Sequence, residues 1–190
     1  IYGPIWTAVQ QAAFQVGSII TTTGYATTDF NMWPEVPRTI LVLLMFVGAC
    51  AGSTGGGIKV SRLVILMKTV KKEFHTMLHP RSLRKLQMDG HLLEHETIRA
   101  TNVFFATYIL IFVLSVLLVG FDGHDLITNF TSVAATLNNI GPGLELVGPT
   151  QNFSVFSNGS KLVLIFDMLV GRLEIFPLLL LFVSDTWKKF

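Results

Sequence analysis

Thr22-Thr23-Gly24-Tyr25-Ala26 closes a short apolar segment, residues 4–20, and decides how the chain is read. That segment opens with Pro4, suited to a first helical position, but carries Gln10, Gln11 and Gln15 and is too short to cross a bilayer. A second string, Asn139-Ile140-Gly141-Pro142-Gly143, closes a second short segment, residues 124–137, in which Asp125 suits a helix N-terminus. Each string is followed by a polar loop and then a longer apolar segment. The order of short helix, glycine string, loop and spanning helix therefore occurs twice, with Gly24 and Gly141 117 residues apart. The second copy has a span ahead of it, residues 103–119. The first copy's equivalent falls before Ile1, so the chain is expected to begin inside a repeat.

Composition sets the solvent for this repeat. Of 190 residues, 51% are hydrophobic and only 14% charged, against roughly 25% charged in soluble domains. That deficit excludes a disordered chain, a coiled coil and most cytosolic enzymes. The single Cys50 excludes an internal disulfide framework and a thiolate metal cluster. Residues 103–119 carry no charge and with their flanks reach the ~20 residues that a membrane span requires. Residues 39–51 and 58–70 read as two halves of a broken helix, and residues 161–183 are long enough to span. Nine of the fourteen Lys/Arg lie between Lys59 and Arg99, as expected of a cytoplasmic connector under the positive-inside rule. Residues 74–96 are read as that linker, with Lys188 and Lys189 on the same side. Phe74 is the only aromatic ring of Phe, Tyr or Trp type there, which argues against nucleic acid as a partner.

Non-helical backbone at membrane depth is tolerated where it is buried in protein or faces water. A short helix ending in an extended glycine string meets that condition as a cation filter, whose carbonyls replace the hydration shell of the ion. Glycine permits the backbone angles such a string needs, and the carbonyl end of the helix favours a cation. One such string alone reads more simply as a turn; two in the same context favour the filter. Gly52-Ser53-Thr54-Gly55-Gly56-Gly57 has the glycine spacing of a phosphate-binding loop, but Ile58 stands where lysine is required. A helix unwound beside a water-filled path fits better. Arg172 is costly at mid-span. Asp167 and Glu174 are not at helical i±3 or i±4 spacing from it, so projection into an aqueous pore is preferred over pairing. The sequons at Asn129, Asn152 and Asn158 read as chance in a polar outer region, and His91 and His95 as solvated linker rather than a metal site.

SIITTTGYATTDFNMWP, GACAGSTGGGIKVSR, TLNNIGPGLE and MLVGRLEIFPLLLLF, taken in this order, resemble the third and fourth pore repeats of the TrkH/KtrB family of bacterial potassium transporters. The resemblance implies an all-α membrane protein with four helix–pore-loop–helix repeats of potassium-channel type in the complete chain. Residues 1–73 would be the third repeat lacking its first helix, 74–96 the linker and 97–190 the fourth repeat. Thr22, Thr23, Gly24, Asn139, Ile140 and Gly141 would be filter residues that bind the transported potassium ion. Gly52, Ser53, Thr54, Gly55, Gly56 and Gly57 would form the intramembrane gate with Arg172. The implied setting is the inner membrane, multi-pass, with the linker and C-terminus cytoplasmic. Its partners would be lipid, the N-terminal repeats, a second copy of the full subunit and the cytosolic nucleotide-binding subunit TrkA. Channel-like flow and proton-coupled symport both fit. The rivals are a non-conducting regulatory subunit of the same fold, against which both filter glycines speak, and an enzyme using Arg172, Glu174 and the histidines. For the enzyme no convergent nucleophile–base pair is legible.

Overall fold

A computed structural model describes residues 5–48, 50, 52–53, 55–79, 86–88, 90–173 and 175–181. The described chain is mostly helical. Its first half holds α1 (Ile5–Ile20), α2 (Glu35–Phe46) and α3 (Val60–Leu78); its second half holds α4 (His95–Val119), α5 (Leu126–Leu137), α6 (Asn158–Leu173) and α7 (Ile175–Leu180). Between α3 and α4, β1 (Gln87–Met88) and β2 (His91–Leu92) pair antiparallel, with Gly90 at φ +80° in the turn.

Several boundaries differ from the sequence expectation. The helix expected over residues 39–51 starts earlier, at Glu35 behind Pro34, and stops at Phe46. Proline fixes the φ of the chain entering the helix, and Glu35 places its charge in the first turn, where the helix dipole favours it. α3 runs through Lys68, Lys71 and Lys72 to Leu78, so the segment read as linker begins inside a helix. Lysine is a good helix former, and charge alone does not end a helix. Residues 161–183 are divided between α6 and α7, with Glu174 and residues 182–190 outside the described residues. Asn129 is not part of a polar outer region; it is buried in α5, where its Nδ2 donates to the His124 carbonyl at 2.9 Å.

α5 sits at the centre of the packing, against α6, α4 and α2. Asp125 caps it, accepting from the Thr128 N–H at 3.0 Å; the Thr128 side chain first, and then this N–H, hold the Asp125 carboxyl below its ordinary range. Burial on α4 falls on Thr101, Phe104, Tyr108, Phe112, Ser115 and Val119, one stripe at three- and four-residue steps. The opposite faces of α4 leave Leu110, Leu114, Leu117 and Leu118 exposed. Small residues bring α5 and α6 close together: a Cβ on Gly171 would collide with the Leu137 carbonyl. Phe46, Phe112 and Phe130 join α2, α4 and α5 in an aromatic cluster with centroids 5.0–6.0 Å apart.

Candidate functional site

α1 and α5 end on the same pair of capping bonds. In the first copy the Thr22 N–H donates to the Ile19 carbonyl at 3.1 Å and the Thr23 N–H to the Ser18 carbonyl at 2.9 Å. In the second, Asn139 donates to Thr136 at 3.0 Å and Ile140 to Ala135 at 2.8 Å. Every residue of one set is 117 positions from its counterpart. These paired bonds are the Schellman cap, which needs a left-handed residue just past the helix end. Thr22 and Asn139 fill that place, each at φ +55°. Even the side chains match, since Thr21 Oγ1 reaches back to the Gly17 carbonyl at 2.7 Å and Asn138 Nδ2 to the Ala134 carbonyl at 2.8 Å. Asparagine tolerates a left-handed backbone; a β-branched threonine does so at a cost.

Two residues further on, Gly24 and Gly141 also take positive φ, +79° and +111°. The two strings face one another. A Cβ on Gly24 would strike the Ile140 carbonyl oxygen and stand 3.4 Å from Pro142 Cδ, whereas nothing lies within 4 Å of one on Gly141. Thr22, Thr23, Asn139, Ile140 and Gly141 line one cleft of about 710 Å³. All six residues singled out from the sequence as filter candidates are therefore neighbours.

The glycine-rich segment lies against the end of α5. Its ends are tied by a parallel bridge between Val47 and Ile58, with the Gly48 N–H donating to the Ile58 carbonyl at 2.8 Å. A Cβ on Gly56 would meet the Asn138 carbonyl, and one on Gly57 would stand 2.8 Å from Asn138 Oδ1. That Oδ1 accepts from the Tyr108 hydroxyl at 2.8 Å, which makes Asn138 a strut between α4, the segment and the second string. Gly52 takes φ +85° with open space around it. Ser53, Gly55 and Gly57 line a cavity of about 170 Å³ together with Arg172. Thr54 lies outside the described residues.

Sequence reasoning missed three contributors to this region. Lys59 and Arg62 join Arg172 in the wall of the same cavity, with the Arg62 guanidinium 4.0 Å from the Phe104 ring centroid. Their basic residue type beside the glycines was the available signal. Tyr108 gave none, standing as one aromatic within an apolar run. Asp167, considered as a partner for Arg172, accepts from Ser115 Oγ on α4 at 2.7 Å, and its other oxygen has no partner among the described residues. No group of three or more His, Cys, Asp or Glu that could hold a metal occurs among the described residues.

A helical chain with two matched helix ends meeting in one cleft has the shape of a solved transporter. The crystal structure of the potassium transporter TrkH from Vibrio parahaemolyticus superposes with a TM-score of 0.89 at 41% identity, covering 98% of this chain and 40% of that one. The family model described as TrkH, cation transport protein, matches residues 4–189, and the chain belongs to that family. Among curated relatives, the Trk system potassium uptake protein TrkH of Salmonella typhimurium is 40% identical over 189 residues, all of this chain and 39% of the relative. The Trk system potassium uptake protein TrkG of Escherichia coli is 36% identical over 176 residues, 93% of this chain and 36% of the relative. The chain spans about two-fifths of the length of the relatives it matches, and it aligns with their C-terminal part.

Proposed function

We propose that this chain supplies two of the four filter segments of a potassium-selective pathway across the bacterial inner membrane. The observation that carries the reading is the pair of helix ends with the same capping bonds, 117 residues apart, whose strings face each other across a few ångströms. A string held at one end by a Schellman cap and relaxed by glycine two residues on can aim successive carbonyls at a common axis. An ion there exchanges water oxygens for backbone oxygens. Potassium as the ion follows from the relatives, which are potassium uptake proteins.

The bilayer setting rests on α4. Its 25 residues extend about 37 Å at 1.5 Å each, enough for a hydrocarbon core of about 30 Å. It is the described helix long and apolar enough to cross unaided. Its exposed leucines suit lipid, and the concentration of Lys and Arg between Lys59 and Arg99 supports a cytoplasmic side for segment 74–96 and, with Lys188 and Lys189, for the C-terminus.

The gate is assigned to the glycine-rich segment and Arg172. Gly52, with open space around it, gives the segment room to move, while Gly56 and Gly57 pack against Asn138, so the movable part is its first half. Arg172, Lys59 and Arg62 place positive charge beside it, raising the barrier to a cation. A cytosolic nucleotide-binding partner that binds the open form better would shift the population, and the complete subunit works as a dimer.

Rubidium flux into liposomes containing the full-length subunit tests both parts. Wild-type protein is expected to pass rubidium in preference to sodium. Arg172→Ala, or a shortened glycine segment, is expected to raise flux without the partner while the preference stays. No rubidium flux from folded protein, with or without the partner, overturns the pathway; unchanged basal flux in both variants overturns the gate alone.

A further inference from the structure

Outside the two strings, one polar cluster joins the halves of the chain. It lies where both strings exit. Asn31 belongs to a 3-10 turn, Phe30–Met32, capped by Asp29, whose carboxylate accepts from the Asn31 N–H at 3.0 Å. Phe30 beneath it is fully buried. The Asn31 side chain spans both backbone groups of Glu145: its Oδ1 accepts from the Glu145 N–H at 2.9 Å and its Nδ2 donates to the Glu145 carbonyl at 3.4 Å. Glu145 is itself held at φ +53°, a conformation that a glutamate keeps only where its surroundings impose it. Arg38, on the first turn of α2 and only 12% exposed, completes the cluster. Its Nη1 donates to Glu35 at 3.3 Å and its Nη2 to Glu145 Oε1.

Glu145 stands four residues after Gly141, and Asn31 seven after Gly24. The stretch between Gly141 and Glu145 is pinned on its other side to α5, where the Leu144 N–H donates to Thr131 Oγ1 at 3.0 Å, and the Gly143 N–H donates to the Val147 carbonyl at 2.7 Å. A displacement of either exit relative to the other therefore breaks a charge-assisted bond and two backbone–amide bonds at once. We infer that Asn31, Arg38 and Glu145 form a clasp between the two halves that fixes the spacing of the strings and so tunes which cation the pathway prefers. They are positioning residues, none of which touches the ion. The inference rests on the filter reading above, because a carbonyl cage discriminates between cations only if its dimensions and stiffness are maintained. A brace serving stability alone would not require a half-buried ion pair and a left-handed glutamate at the exits; apolar contact would serve as well.

The test uses the full-length subunit reconstituted in liposomes, with rubidium uptake measured against increasing sodium. Glu145→Gln, Arg38→Gln and Asn31→Asp are each expected to lower discrimination roughly ten-fold, the scale of one charge-assisted hydrogen bond lost, while rubidium uptake without sodium falls far less. Glu145→Gln with Arg38→Gln together should be no worse than the worse single change, since both remove one interaction. Wild-type discrimination in well-folded single variants overturns the clasp, and so does simple additivity. Should a single variant fail to fold, the reversed pair Arg38→Glu with Glu145→Arg, made together with Glu35→Gln so that no second carboxylate faces position 38, is expected to restore both protein and discrimination. Restored protein without discrimination overturns the proposal, as does loss of fold in the reversed pair. Gly141→Ser runs alongside: if it too keeps wild-type discrimination, the filter reading has failed; if it loses discrimination and the clasp variants do not, the clasp alone has.

Discussion

α1 and α5 close on the same hydrogen bonds yet live in different surroundings. Nine of the twelve residues of α5 are buried, against three of the sixteen in α1, whose Ile5 and Trp6 are 84% and 76% exposed. Local chemistry fixes the helix end and the string, and it does so twice. Neighbours decide how firmly that end is held: α5 is enclosed by α2, α4 and α6, while the main neighbour of α1 is α2.

The largest effect that could break this comparison is at the paired glycines. Gly24→Ser puts atoms into the Ile140 carbonyl, so it should lower both the yield of folded full-length subunit and its preference for rubidium over sodium. Gly141→Ser meets open space and carries only the cost of a positive φ, roughly 1–2 kcal/mol. It should fold and still lose preference. Equal yields from the two variants would mean that the strings do not face each other as described.

Next is the strut that only the second copy has. Tyr108→Phe leaves Asn138 Oδ1 short of a donor in a buried place, at a cost of about 1–3 kcal/mol. A thermal unfolding scan of the purified subunit should show the loss. Ser18→Ala, which removes the first copy's bond to the Tyr25 carbonyl at 2.6 Å, should cost less, because Tyr25 is exposed and water can replace the donor.

A finer comparison exchanges the cap residues. Thr22→Asn should stabilise and Asn139→Thr destabilise, each by about 1 kcal/mol, because asparagine tolerates φ +55° better than a β-branched side chain. Opposite shifts in melting temperature are the expected outcome; shifts of the same sign would assign these positions a role beyond conformation.

The smallest effect is at the start of α5. Asp125→Ala should cost about 1 kcal/mol of stability, with no counterpart in α1, which Pro4, a residue with no capping side chain, precedes in the sequence. Because the fold lowers the Asp125 pKa, its contribution is present above the ordinary carboxylate range, about 4, and is lost as pH falls through the depressed value. The difference in melting temperature between wild type and Asp125→Ala should therefore narrow below about pH 4.

The parts legible in the sequence were those set by local chemistry. Gly24 and Gly141 marked the strings, Asp125 the start of α5, and the uncharged run in α4 a helix suited to a membrane. The left-handed Thr22 was not legible, since no propensity places a β-branched residue there; Asn139 could have been. The clasp escaped because Arg38 and Glu145 are 107 residues apart and each alone reads as a surface charge. Asn129 looked like a surface sequon because burial depends on which helices enclose α5. α3 runs past residue 70 because its lysines, which mark the cytoplasmic side, are also good helix formers.

A shared filter requires that the two strings bind the ion together. Crystals of the full-length subunit grown in rubidium, with anomalous scattering recorded at the rubidium edge, locate the ion directly. A peak is expected on the axis between the strings, coordinated by backbone oxygens of Thr22 and Thr23 on one side and Asn139 and Ile140 on the other. A bound rubidium coordinated elsewhere, with no peak between these carbonyls, would contradict the shared filter.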